Sequence, residues 1–288
     1  MTPASPLVHW TTTIRADELA AVIDHCVLVD CRHDLFDPQA GRRAYEAGHI
    51  AGAHFMHQDQ DLAGERDGRN GRHPLPDREA FAARLRAIGL NRDQQLVGYD
   101  DQGGMLASRL WWLARWLGHD RVAVLDGGIG AWKRAGFPLS QEAPQPQPGD
   151  FVALEPLERP VSTADVARDR GHERAMVLID ARAPERYAGE MEPLDPVAGR
   201  IPGALNRPFQ RNLQPNGTFK PADALRAEYS RMVGEGDPRR VVHYCGSGIT
   251  ACHNMIAMEI AGMRGSSLYP GSWSAWCADP ALPVASDA

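Results

Sequence analysis

One cysteine sits where its chemistry would be strongest. In Val241-Val-His-Tyr-Cys245-Gly-Ser-Gly-Ile-Thr-Ala251 a β-branched run gives way to a helical pattern immediately after Cys245. Gly246 and Gly248 let successive backbone N–H groups turn inward, and the start of the following helix adds partial positive charge. Both effects favour the thiolate of Cys245 and would hold an anion carried on its sulfur. Such a thiolate is a nucleophile for covalent group transfer. The same position also suits a small buried cysteine at a strand end. A thiol phosphatase would place an arginine at position 251 to clamp phosphate bidentately; Ala251 stands there, so phosphoryl chemistry is disfavoured.

The elements around this loop are written twice. Val27-Leu-Val-Asp30-Cys-Arg32 returns as Val177-Leu-Ile-Asp180-Ala-Arg182, and His49-Ile-Ala-Gly-Ala53 returns as Arg200-Ile-Pro-Gly-Ala204. Leu96 to Asp100 returns as Val241 to Cys245, and Asp126-Gly-Gly128 followed by Trp132 returns as Pro270-Gly-Ser272 followed by Trp276. Offsets of about 144 to 151 residues mark a duplicated domain rather than a short repeat. Asp100 occupies the place of Cys245 in the first copy, so only the second copy carries the thiol. The Pro-rich stretch Glu142 to Gly149 reads as an extended linker. Domains are expected at 5–140 and 159–285, joined by 141–158.

Short β-branched runs at Val27 to Asp30, Gln95 to Tyr99 and Val122 to Leu125 match runs at Val177 to Asp180, Val241 to Tyr244 and Ser267 to Tyr269. Between the last two runs of each copy lies a helical pattern. Leu106, Leu110, Leu113 and Leu117 carry it in one, Ile249, Cys252, Ile256 and Ile260 in the other. Strands apolar on both faces, alternating with helices, predict an α/β fold with a mainly parallel sheet flanked by helices in each domain. Trp111, Trp112, Trp116, Trp273 and Trp276 read as packing residues, and Cys252 as part of the core face of its helix.

Composition narrows the class. The chain has 288 residues, 43% hydrophobic and 24% charged, with 31 Lys and Arg against 37 Asp and Glu, a net charge of −6. That balance offers no general pull on nucleic acid. No apolar run is long enough to cross a bilayer, and Met1 to Trp10 has no secretory pattern, so a cytoplasmic protein is expected. Five cysteines, none in Cys-x-x-Cys spacing, suggest neither a disulfide framework nor a zinc site. No dinucleotide fingerprint is present; Asp126-Gly-Gly-Ile-Gly130 lacks the glycine spacing. Neither a metal nor a cofactor is expected.

With these motifs in both halves, the whole chain resembles the tandem-domain rhodanese sulfurtransferases. Cys245-Gly-Ser-Gly-Ile-Thr-Ala251 is similar to the active loop of their 3-mercaptopyruvate branch, and Asp180-x-Arg182 and Gly271-Ser-Trp273 add to the match. The resemblance implies two rhodanese-like domains, a non-catalytic first and a catalytic second, with the active site between them. It implies that Cys245 takes sulfur from 3-mercaptopyruvate as a persulfide and hands it to a thiol such as thioredoxin or glutathione, or to cyanide. Thiosulfate is the alternative donor, and a persulfide carrier without turnover the alternative role. Thiosulfate-preferring members carry Arg and Lys after the cysteine; here Gly246 and Ser247 follow it.

The resemblance further implies a relay of Ser247, His73 and Asp59, with His73 and Asp59 supplied by the first half. Arg186 aligns with the family's substrate-binding arginine, and Gly246, Gly248, Ile249 and Thr250 complete the substrate loop. A second arginine found in animal relatives has no counterpart in Glu192 to Val197; Arg200 or Arg207 could substitute. Arg182 reads as a structural group at its strand end.

Overall fold

The computed structural model describes residues 9–171 and 175–287. Residues 5–8 of the expected first domain lie outside the described residues. The first half contains strands β1 (Thr13–Ile14), β2 (Cys26–Asp30), β3 (Ala53–Phe55), β4 (Gln95–Tyr99) and β5 (Val122–Leu125). They form one parallel sheet in the order β1-β5-β4-β2-β3. The second half contains β6 (Val177–Asp180), β7 (Leu205–Asn206), β8 (Val241–Tyr244) and β9 (Ser267–Leu268), also parallel, in the order β7-β6-β8-β9. A parallel bridge from Pro160 to Leu268 stands where β1 pairs with β5 in the first half. The copies are therefore the same sheet, as the repeated strings predict.

Alternation along the strands explains why each run is apolar throughout. Val27, Val29, Leu96, Val122 and Val124 face one core; Leu28, Val97, Ala123 and Leu125 face another. In the second half Ile179 and Val241 face the first of these cores, while Leu178, Val242 and Tyr244 face a third. A strand buried on both faces favours apolar side chains, and the buried polar ones here are Asp30, Gln95, Asp180 and His243. The shared core is the important one, because it crosses between the halves. The helix Ala107–Trp116 packs against the helix Thr250–Ile260, joining Leu110, Trp111 and Trp112 to Met255 and Ile256. Trp273 and Trp276 belong to the second half's own core, and Trp116 packs at the edge of the shared one. Cys252 is fully buried, with its thiol pushed up to about 12 by desolvation.

Each half also repeats a buried ion pair. Arg32 reaches both carboxylate oxygens of Asp30 and the carbonyl of Gly48; Arg182 does the same with Asp180 and Gly199. The charges compensate each other at the sheet's carboxyl edge, and the extra carbonyl fixes the loop that follows.

The connection between the halves departs from a free extended linker. Residues 141–158 hold no helix or strand, yet Gly149 N–H donates to Arg86 O, Phe151 N–H to Leu90 O and Leu154 N–H to Leu117 O. Phe151 is 1% exposed, and Glu158 pairs with Arg115. The prolines keep the chain extended, and the apolar residues between them strap it along the first half. Among the described residues no helix is long and apolar enough to cross a membrane. If the strap contributes to the fold, Phe151→Ala lowers stability by about 3–5 kcal/mol, measured by denaturant unfolding. A loss below about 0.5 kcal/mol would mark the segment as a passive linker.

Candidate active site

Cys245 follows β8 directly, and the helix Thr250–Ile260 begins five residues later. Three sets of contacts fix the loop between them. Gly248 has φ +82, and a Cβ there would stand 2.5 Å from Pro270 O, so the turn requires glycine. Its N–H donates to Cys245 Sγ at 3.1 Å. From behind, Trp273 N–H donates to Cys245 O and Ser274 N–H to Gly246 O, while Ser272 Oγ accepts the Cys245 N–H. Ser272 holds φ +53, an unusual conformation for a residue with a side chain, and one that places its hydroxyl on the loop.

Cys245 is only 2% exposed, but its residue borders a cavity of about 380 Å³ between the halves. From the second half, Gly246, Ser247, Ile249 and Thr250 line the cavity with Arg186. From the first half come His33, Arg72, His73 and Met105, with Leu35 and Phe36. Gly248 acts through its N–H rather than as cavity wall. The amide contact on the sulfur is that of Gly248 alone among the described residues, not the ring of amides that the loop's glycines suggest.

Ser247, His73 and Asp59 are aligned by hydrogen bonds. Ser247 Oγ lies 2.7 Å from His73 Nδ1, and His73 Nε2 lies 2.9 Å from Asp59 Oδ1. The His73 bond holds the Asp59 carboxyl down at about 2 against partial burial. Burial lowers His73, opposed by Asp59. An ionised Asp59 accepts from Nε2–H, which leaves Nδ1 as the acceptor for the Ser247 hydroxyl. Arg109, fully buried, donates to the carbonyls of Leu62, His73 and Pro74 and, across the interface, to Gly248 O at 3.1 Å. It has no carboxylate partner among the described residues, and desolvation lowers it while the Cys252 and Cys245 thiols favour its charge. One cation thus ties the His73 segment to the Cys245 loop.

The arginines divide sharply. Arg186 borders the cavity and is held by Glu192 through Nε and Nη2 at 3.2 and 2.6 Å. Arg200 does not border it: its guanidinium pairs with Asp287 and lies over the Tyr187 ring, because residue 200 is bridged to Ala285 in the terminal segment. Arg207 is likewise engaged elsewhere, by Glu228 and Asn212 over the Tyr229 ring. Arg182 and Arg72 border the cavity too, and Arg72 is the one that the sequence did not single out although it stands next to His73. It comes from the first half and pairs with Asp195 at 2.9 Å. Arg182 is committed to Asp180, Gly199 O and Glu192, and lies over Trp273.

Among the described residues, one group has the proximity of a metal site: His33, His57 and Asp59 bring ligand atoms within 4.8 Å. His57 has both nitrogens occupied, Nε2 toward Pro38 O and Nδ1 accepting the Asp59 N–H, so it offers no free ligand pair.

The rhodanese-like domain family matches residues 15–135 and again 163–279. The chain is 44% identical over 276 residues to a Pseudomonas aeruginosa protein named "Probable 3-mercaptopyruvate sulfurtransferase", covering 94% of this chain and 97% of that one. It is 32% identical over 243 residues to the thiosulfate sulfurtransferase of Bos taurus, covering 82% and 79%. The crystal structure of SseA from Escherichia coli, described as a 3-mercaptopyruvate sulfotransferase, superimposes with a TM-score of 0.79 at 31% identity, covering 92% of this chain and 99% of that one. With both halves matched, and with a helix-head cysteine in the second half alone, this chain belongs to the rhodanese-like family as a two-domain sulfurtransferase.

Proposed function

We propose that the chain takes sulfur from 3-mercaptopyruvate and carries it as a Cys245 persulfide to a thiol acceptor. The observation that carries this reading is the Ser247–His73–Asp59 line beside Cys245, in a cavity whose cations are matched by carboxylates. Arg72, Arg182 and Arg186 face Asp180, Glu192 and Asp195, and Asp34 lines the cavity as well. Such a site has no net positive charge to attract the dianion thiosulfate, but it has guanidiniums able to receive one carboxylate.

In the first half-reaction the Cys245 thiolate attacks the donor's sulfur. The new S–S bond forms as the C–S bond breaks, and that electron pair moves to carbon as the enolate of pyruvate. The donor's thiol proton passes through Ser247 and His73 to the carbon, so pyruvate leaves and the persulfide remains anionic. Asp59 keeps His73 in the tautomer that accepts from Ser247. The Gly248 N–H stabilises charge on the Cys245 sulfur. In the second half-reaction an acceptor thiol takes the outer sulfur and restores the thiolate. Thioredoxin, glutathione and cyanide are acceptors of suitable chemistry. Cys252, held as a neutral thiol by burial, takes no part.

Steady-state rates with both donors test the reading: kcat/KM for 3-mercaptopyruvate exceeds that for thiosulfate, and the reverse order would reject the donor. Donor treatment adds the mass of one sulfur atom to the protein, and excess thiol removes it. Cys245→Ser abolishes the adduct and Cys252→Ser keeps it; an adduct that thiol cannot clear would mean a carrier without turnover. The pH profile of kcat/KM checks the relay separately. Because burial lowers His73, its step lies below the ordinary histidine value of about 6.5, with activity lost as pH falls through it. His73→Gln removes that step and reduces kcat/KM by about 100-fold. A step that survives the substitution belongs to another group.

A further inference from the structure

Two guanidiniums from different halves of the chain meet on one oxygen. Asp195 Oδ2 lies 2.9 Å from Arg72 Nη1 and 3.5 Å from Arg186 Nη2, and the Asp195 side chain is 3% exposed. Both arginines stand over the residue next to the nucleophile. A Cβ on Gly246 would lie 2.8 Å from Arg72 Nη2 and 3.4 Å from each Nη of Arg186. The bare backbone at Gly246 is what leaves them room.

Neither arginine is saturated. Buried Nε and Nη1 of Arg72 have no hydrogen-bond partner among the described residues; the ion pair with Asp195 is close but not aligned as a hydrogen bond. Glu192 takes the Nε and Nη2 edge of Arg186 and leaves Nη1 uncommitted. Buried donors without partners cost free energy, and a ligand carboxylate would meet them. Arg182, by contrast, is spent on the sheet edge.

We propose that Asp195 is an internal stand-in for the donor's carboxylate: it holds Arg72 and Arg186 as a pair above Gly246 and is replaced there when substrate binds. This rests on the keto-acid donor proposed above and names the second arginine of its carboxylate site. The exchange is one carboxylate for another, so the two arginines keep an anionic partner throughout. Several features make Asp195 a displaceable partner. It lies in a segment, 191–199, without helix or strand. Burial and the neighbouring Glu192 push its carboxyl up, against Arg72, Arg186 and Arg182. Its contact with Arg186 is the longer of the two, and Arg186 keeps Glu192 when Asp195 moves.

The test is the opposite sign of two substitutions. Asp195→Asn, which keeps the shape and removes the competing charge, lowers KM for 3-mercaptopyruvate by about 3- to 10-fold with kcat within about 2-fold. Arg72→Gln raises KM by about 10-fold or more, again with kcat little changed. Asp195→Ser replaces the asparagine variant should that one fail to fold, with the same expected sign. A second arm does not depend on the donor. Pyruvate is used as a monocarboxylate probe, and its inhibition of Cys245 persulfide formation from thiosulfate is measured. Tighter inhibition in Asp195→Asn and weaker inhibition in Arg72→Gln support the exchange even if thiosulfate proves the better donor. Unchanged KM and pyruvate inhibition in both variants would overturn it. So would a rise in KM in both, which would make Asp195 a fixed brace between the halves.

Discussion

A charged group buried away from water must be met by something, and Arg109 is met by four carbonyl oxygens rather than by a carboxylate. Three of those carbonyls belong to the segments that carry and precede His73; the fourth belongs to Gly248, whose N–H touches the Cys245 sulfur. Charge–dipole contacts of this kind hold only when all the carbonyls point inward together. The two segments are therefore fixed relative to each other by one side chain. The apolar contact between the helices Ala107–Trp116 and Thr250–Ile260 brings the halves together, but it is not directional. Arg109, which sits on the first of those helices, sets the register in which Ser247 meets His73.

The first half shows what the same loop does without a thiol. Asp100 occupies the position of Cys245, and its carboxylate accepts from the N–H groups of Gln102, Gly104, Leu106 and Ala107 at 2.8, 2.9, 2.7 and 2.9 Å. A strand-to-helix loop in this fold is thus an anion cradle, filled in one copy by a fixed carboxylate and in the other by a reactive sulfur. Burial pushes the Asp100 carboxyl up, and the four amides pull it back. The longer loop, with its helix starting seven residues after Asp100 rather than five after Cys245, wraps the carboxylate completely. In the shorter one the residue that carries the sulfur borders the cavity, and among the described residues a single amide lies on the sulfur.

Duplication, strand runs, the helix faces and the nucleophile were all legible, because each depends on local periodicity or on a motif carried by adjacent residues. The Ser247, His73 and Asp59 triplet was reachable only through resemblance, since 174 residues separate the first two. Arg200 and Arg207 illustrate the limit. Both sit at plausible sequence positions, yet a bridge to Ala285 and a pair with Glu228 turn them elsewhere. No string of residues announces those partners. Arg72 was hidden for the converse reason: it directly follows the polar, glycine-rich run 64–71, and only packing of the halves brings it to Gly246. The Pro-rich connection was legible in part. Its composition does favour extension, but extension along a surface with open carbonyls at Arg86, Leu90 and Leu117 becomes a strap.

The placement of charge also explains why the first half cannot be dispensable to the chemistry even though it lacks a nucleophile. Taken alone, the second half would present Arg182 and Arg186 to Asp180, Glu192 and Asp195, an excess of negative charge beside a sulfur that must itself become an anion. Arg72 corrects that imbalance from across the interface, and Arg109 adds a further cation within the shared core. At the short distances and low polarity of such a cavity, one unmatched carboxylate would oppose both thiolate formation and the approach of an anionic donor. The first half therefore adds Arg72 and Arg109 to the arginines of the second, and places His73 and Asp59 in line with Ser247.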